Sequence, residues 1–228
     1  MTTTLITGAT RGLGLEVARR LVGAGHAVWL GARDLERGER AAASVGATAI
    51  ELDVTDDHSV AAAVARVQDF GGLDVLVNNA GIAGQQTEPT AQTVQDLREV
   101  LDTNVVGAMR VLMAFTRLLD AGGAPVVVNV SSAVGSLGLN AGPDAIWSML
   151  AYPMSKAALN MLTVQYARAF PRWRVNSVAP GLTATDFAPG PPAGHSVEEG
   201  ADVLVRMAQL GHDGPTGTFV GRDGTLPW

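Results

Sequence analysis

The sequence predicts an α/β fold: one doubly wound domain over residues 1–228, with a parallel sheet of about seven strands and helices on both faces. Three observations carry this. Short β-branched runs alternate with longer alanine-rich segments, the apolar runs of the strands are continuous rather than alternating, and a glycine-rich turn follows the first strand at once. Continuous apolar runs mark strands covered on both sides, which sets helices above and below the sheet with right-handed crossovers between them.

Strands are expected at Thr3 to Thr7, Ala27 to Gly31, Thr48 to Leu52, Leu73 to Asn78, Pro125 to Ser131, Arg174 to Ala179 and Thr218 to Val220. Helices are expected near 12–24, 34–45, 56–69, 92–121, 152–170 and 197–210. The stretch from Thr185 to His195 cannot be regular, because Pro189, Pro191 and Pro192 lack N–H donors and Gly190 and Gly194 loosen the chain. It leaves the carboxyl edge of the sixth strand, where ligands bind in open α/β sheets. Residues 185–196 therefore read either as a substrate loop or as a surface connection.

Composition narrows the function. With 228 residues, 47% hydrophobic and 17% charged, the chain suffices for one core and leaves no room for a second domain. A formal net charge of −6 argues against general affinity for nucleic-acid backbones or anionic membranes. The absence of cysteine excludes disulfides, thiolate catalysis and thiolate metal sites. His26, His58, His195 and His212 are scattered with no ligand-spaced pair, so no metal site is expected. The opening residues lack the basic start and long apolar centre of a secretory signal, and a cytoplasmic protein is the expectation. Val105 to Leu119 is interrupted by Arg110 and Arg117 and is too short to span a bilayer.

The turn Thr7-Gly8-Ala9-Thr10-Arg11-Gly12-Leu13-Gly14 follows a strand and opens a helix with the apolar stripe Leu13, Val17 and Leu21. Glycines there permit unusual backbone angles and let a diphosphate approach the free amides of the helix start. Gly8, Thr10, Arg11, Gly12, Leu13 and Gly14 form the candidate cradle, with G-x-x-x-G-x-G spacing rather than G-x-G-x-x-G. The second strand ends at Gly31-Ala32-Arg33-Asp34, where a carboxylate would take a ribose 2′-hydroxyl and an arginine a 2′-phosphate. Ala32 holds the strand-end position, Asp34 suits a helix cap, and Arg11 adds a second guanidinium to that of Arg33. NADP(H) is accordingly favoured, with NAD(H) as the alternative. Asp53 can meet the adenine amino group beside Val54 or simply close a turn. Asn78-Asn79-Ala80-Gly81 suits close backbone approach to a cofactor.

Tyr152 and Lys156 stand four residues apart, so on a helix they share a face. An ammonium near the phenol would favour its ionised form and bring a group of ordinary pKa about 10 toward neutral pH as an acid or base.

Thr7 to Gly14, Asn78 to Gly81, Ser132, Tyr152, Lys156 and Pro180-Gly181 occur in the order and approximate spacing of the short-chain dehydrogenases/reductases, and the chain resembles that family over nearly its whole length. Gly31-Ala32-Arg33-Asp34 with Glu36-Arg37-Gly38, and more weakly the tail from Glu198-Glu199-Gly200-Ala201 to Gly214-Pro215-Thr216-Gly217, resemble the carbonyl-reductase-like branch. The resemblance implies a Rossmann fold and hydride transfer between a nicotinamide and a carbonyl or alcohol carbon. It further implies Tyr152 as proton donor, Lys156 as holder of the nicotinamide ribose, Ser132 as partner of the substrate oxygen and Asn104 as the residue that positions a relay water. Ser131 is the alternative to Ser132, since successive strand residues face opposite sides. Asn79, Ala80 and Gly81, and the loop residues Pro180, Gly181, Thr183 and Thr185, would meet the cofactor.

Two departures from the family pattern stand out. The interval between Ser132 and Tyr152 is long, so Gly135 to Ala151 carries an insertion whose Leu137, Leu139, Ile146, Trp147, Met149 and Leu150 suit a substrate-pocket wall or packing within the domain. Trp147 and Leu150 are its pocket candidates. Pro153, directly after the tyrosine, fits a first helical turn but constrains the backbone of Tyr152. The favoured reading is an NADPH-dependent ketone or aldehyde reductase, reversible, with a small and fairly apolar substrate. An idle dinucleotide-binding sensor and a lyase or dehalogenase on the same fold are the alternatives; homo-oligomer and monomer are both open.

Overall fold

A computed structural model describes residues 1–142, 149–187 and 193–228. Seven parallel strands are β1 (Thr3–Ile6), β2 (Ala27–Ala32), β3 (Thr48–Glu51), β4 (Val75–Asn78), β5 (Val126–Val130), β6 (Arg174–Val178) and β7 (Phe219–Gly221). They form one sheet in the order β3-β2-β1-β4-β5-β6-β7, and a further strand, β8 (Gly224–Thr225), pairs antiparallel with β7 at the edge. This eighth strand was not expected from the sequence, because two residues after a Gly-Arg-Asp-Gly turn carry no periodic signal.

The helices are α1 (Gly12–Gly23), α2 (Leu35–Val45), α3 (Asp57–Phe70), α4 (Val94–Leu101), α5 (Ala108–Asp120), α6 (Leu137–Asn140), α7 (Ala151–Ala169) and α8 (Val197–Ala208). The single helix expected over 92–121 is divided. Pro89–Ala91 forms a separate 3-10 turn, and between α4 and α5 the chain widens into a π turn, Asp102–Gly107. Gly107 lets that turn approach the strand-3 loop: a Cβ there would lie 2.7 Å from the Val54 side chain.

Strand alternation divides the core in two. Ile6, Val77, Val126, Val128 and Val130 face Val17, Leu21, Ala201 and Leu204 of α1 and α8. Leu5, Leu76 and Val127 face Val60, Val111 and Phe115 of α3 and α5. Both faces of the central strands β1, β4 and β5 are thus buried and covered, which is the physical content of the continuous runs. The order reverses between β1 and β4, and the crevice outside their carboxyl ends is where such sheets bind ligands.

Side chains start most of the helices. Asp34 accepts from the Arg37 amide at 3.0 Å, Asp56 from the His58 amide at 2.9 Å, and Thr93 and Ser196 form reciprocal caps with Asp96 and Glu199. The start of α1 differs: Arg11 precedes it in extended backbone and no side chain caps it. Its amides lie at the β1/β4 crevice.

Candidate active site

The glycine turn is fixed from below by Thr7. The Thr7 hydroxyl accepts from the amides of Asn79 and Ala80 at 3.0 and 2.9 Å, and the Asn79 side chain donates to the carbonyls of Thr7 and Gly8 at 2.9 and 3.0 Å. Gly8 has φ of 62° and lies so close to β4 that a Cβ would meet Ala80 Cα at 2.8 Å. A Cβ on Gly14 would lie 2.5 Å from the Asn79 amide nitrogen. The glycines therefore serve the joint between turn and strand as well as any ligand. With the uncapped amides of α1 above it, the turn fits the diphosphate of a dinucleotide: anions are stabilised by free N–H groups at a helix start.

At the second strand, Ala32 is buried, Arg33 is exposed with no hydrogen bond or ion pair among the described residues, and Asp34 is engaged as the cap of α2. Arg11 instead pairs with Asp186 at 3.4 Å across exposed surface. Asp53 folds onto its own turn, accepting from the Thr55 amide and hydroxyl at 2.9 and 2.7 Å, while Val54 is buried under the π turn. Thr10 is half-buried in the glycine turn, and Leu13 packs against the α1/α8 core.

Tyr152 is the second residue of α7. The first amide of that helix, at Ala151, donates to the Gln92 side chain at 2.8 Å, and Pro153 falls where a helix has no intrahelical use for an N–H. The N–H that Pro153 lacks therefore costs the helix no hydrogen bond, and Tyr152 keeps its place in the helix despite the proline that follows it. Ser155 donates to the Tyr152 carbonyl at 2.7 Å and accepts from the Asn104 side chain at 3.0 Å. Asn104 also exchanges two hydrogen bonds with the Ile82 backbone, at 2.8 and 2.9 Å. Its side-chain amide is thus committed to bracing Ile82 against α7. The π turn brings it there, as widened helix turns frequently do at functional sites.

Ser131 and Ser132 part as strand alternation requires. Ser131 is buried and donates to Asn160 at 2.7 Å, whereas Ser132 ends the strand, accepts from the Val134 amide at 3.4 Å and acts on the phenol of Tyr152 to lower its pKa. The following 3-10 turn, Ala133–Gly135, presses directly on α7: a Cβ on Gly135 would lie 2.6 Å from Lys156 Cβ. Lys156 is 4% exposed, its Nζ donates to the Val130 carbonyl at 2.8 Å and lies 5.5 Å from the Tyr152 ring centroid. Gly81 sits against both neighbours, 3.2 Å from Asn104 Oδ1 and 3.8 Å from Lys156 Nζ when a Cβ is placed on it.

The ionisation expected from the four-residue spacing is reversed. Burial pushes the Tyr152 phenol up to about 12, with Ser132 acting the other way, and burial pushes Lys156 down to about 8. Tyr152 is only half-buried by exposed area, yet its hydroxyl end lies among protein atoms, so desolvation outweighs the nearby ammonium. At neutral pH this structure holds a protonated tyrosine beside a protonated lysine.

The loop after β6 closes on both parts of the site. Gly181 takes φ of 81° after Pro180, and Thr183 pairs with His195 in a parallel bridge, the Ala184 and His195 amides donating across it at 2.8 Å each. The Thr185 methyl lies 3.4 Å from a Cβ placed on Gly12, and the Phe187 ring lies 5.7 Å from that of Tyr152. Leu150 precedes α7 and is partly exposed; Trp147 lies outside the described residues. Sequence reasoning missed Phe187, although a lone aromatic in a proline- and glycine-rich loop is a usable signal. It also missed Ser155 and Gly135, which carry none.

A doubly wound sheet with this turn at its switch point and this tyrosine, lysine and serine at its carboxyl edge defines the nicotinamide-dinucleotide oxidoreductases. A family model described as short chain dehydrogenase matches residues 2–191, and the chain belongs to that family. A short-chain dehydrogenase/reductase of Stachybotrys chlorohalonatus is 36% identical, with 98% of this chain and 93% of the relative covered. The (+)-neomenthol dehydrogenase of Arabidopsis thaliana is 33% identical, with 96% and 95% covered. Among solved structures, NADPH-bound carbonyl reductase from chicken fatty liver superposes with a TM-score of 0.86 at 28% identity, covering 100% of this chain and 99% of that one. Among the described residues no helix is long and apolar enough to cross a membrane.

Proposed function

We propose that this chain is an NADPH-dependent reductase of small, fairly apolar ketones or aldehydes, reversible, with Tyr152 as the proton donor. The observation that carries it is the cluster itself: a phenol held protonated by burial, with Ser132 acting on it and a buried ammonium 5.5 Å from its ring centroid, at the ligand edge of the sheet. When bound, the dinucleotide supplies the hydride. Tyr152 gives its proton to the carbonyl oxygen as the new C–H bond forms, and the Ser132 hydroxyl steadies the charge growing on that oxygen. Lys156 stands ready to hold the ribose, and Asn104 keeps the start of α7 aligned. A phenol of raised pKa suits reduction, which begins with the protonated form; the reverse oxidation would gain as pH rises.

The diphosphate would rest on Gly8 to Gly14, with Asn79, Ala80, Gly81, Pro180, Gly181, Thr183 and Thr185 lining the remainder. Arg33, without a partner among the described residues, and Arg11, held there by an exposed ion pair, support the preference for a 2′-phosphate, while Asp34 is drawn into its cap. The apolar side chains of the 135–151 insertion and of Phe187 support a pocket for an apolar carbonyl compound. Tyr152→Phe is the direct test. It should lower kcat for ketone reduction by about 10²–10⁴-fold, the usual contribution of a placed general acid, with NADPH affinity largely intact. Turnover near the wild-type rate would remove Tyr152 from the chemistry.

A further inference from the structure

We propose that the segment after β8, Pro227-Trp228, positions the beginning of the substrate wall: it clasps the start of α6, four residues after Ser132. This deepens the reductase reading and rests on it for the identity of the wall. Helix α6 has four residues, and a helix that short does not sustain itself, because nucleation costs more than one turn returns. Its first amides need acceptors from outside. Ser136 accepts from the Leu139 amide at 3.0 Å and donates its hydroxyl proton to the Pro227 carbonyl at 2.7 Å. The Gly138 amide donates to the Trp228 carbonyl at 2.8 Å. A Cβ on Gly138 would lie 3.2 Å from that same oxygen, so the two segments are in close contact.

The clasp is itself anchored to the sheet. The Trp228 indole stacks on fully buried Phe219 at the start of β7, with centroids 5.5 Å and planes 18° apart, and the Leu226 amide donates to the Phe219 carbonyl at 2.8 Å. On its other side the clasped segment is continuous with the site: Ser132 and the 3-10 turn against Lys156 directly precede Ser136. Tyr152, Lys156 and the glycine turn are held by their own elements. Release of the clasp would therefore move the apolar wall, with its exposed Leu137 and Leu139, and leave the proton donor and cofactor cradle where they are.

The test compares the parent chain with Trp228→Ala, which loses the stack, Ser136→Ala, which loses a bond of the clasp, and Trp228→Phe, which keeps a ring on Phe219. Kinetics with NADPH and menthone, a compact apolar ring ketone, are read beside NADPH affinity and amide hydrogen exchange over residues 136–142. In Trp228→Ala and Ser136→Ala, KM for menthone should rise about fivefold, the factor that one net hydrogen bond of about 1 kcal/mol represents, with kcat and NADPH affinity within about twofold. Exchange over 136–142 should quicken, and Trp228→Phe should restore both. Unchanged KM, or equal losses in KM, kcat and NADPH affinity, would overturn the proposal. If the parent chain reduces neither menthone nor an aromatic diketone, the reductase reading fails while exchange still decides the clasp: quickened exchange in Trp228→Ala supports it, and unchanged protection overturns it.

Discussion

Replacing Lys156 by methionine should make the protein more stable at neutral pH and erase a rise in stability that the parent chain shows in alkali. The ammonium is buried against a single carbonyl, that of Val130, and burial lowers its pKa from 10.5 to about 8. Between those values the unfolded chain holds a proton that the folded chain has released, so stability increases with pH. The penalty is fully present below about 8 and gone above 10.5. At 1.36 kcal/mol per pH unit, the interval amounts to about 3 kcal/mol. Tyr152 sets the upper limit: its pKa is raised from 10 to about 12, so the unfolded phenol ionises first and stability falls over that range. The clean window therefore runs from about pH 8 to pH 10. Urea unfolding of both proteins at several pH values gives the difference directly, with other titrating groups cancelling. A difference between parent and Lys156→Met that stays flat from pH 7 to 10 would refute the buried-ammonium argument.

Further outcomes follow from the same geometry. Arg33→Ala should weaken NADPH about tenfold, as expected for one charge-assisted contact, and leave NADH nearly unchanged in fluorescence titrations; equal weakening would remove the 2′-phosphate contact. Gly135→Ala should lower stability by about 1–3 kcal/mol in urea unfolding, because the new Cβ meets Lys156 Cβ at 2.6 Å and neither backbone has room to yield. Ketone reduction, followed as kcat/KM against pH, should decline as pH rises through about 8, where Lys156 loses its proton.

The strands, the crossovers and the glycine turn were legible because each leaves a local mark: continuous β-branched runs, alanine-rich spacers and glycines between a strand and a helix. The π turn was not. Residues 94–120 keep a helical apolar pattern across it, and one extra residue in a turn hardly disturbs a period of 3.6. The proximity of Tyr152 and Lys156 was legible from their spacing, but the direction of their pKa shifts was not, since spacing reports distance and says nothing of burial. The partners of the Asn104 amide, Ile82 and Ser155, were not legible, because they come from two other segments. Arg33 lies at the expected strand end, whereas the pairing of Arg11 with Asp186 depends on where a long loop returns.

The joint between Thr7 and the end of β4 bears on how this protein can be re-engineered. Thr7 and Asn79 bind backbone groups alone, and none of their bonds reaches Arg11, Arg33 or Asp34. The joint that supports the proposed diphosphate cradle is therefore built without Arg33, the residue proposed to meet the 2′-phosphate at the second-strand edge. On the proposed reading, exchanging arginine for carboxylate at that exposed edge leaves the Thr7–Asn79 joint intact, and a change of cofactor becomes a surface edit rather than a redesign of the core.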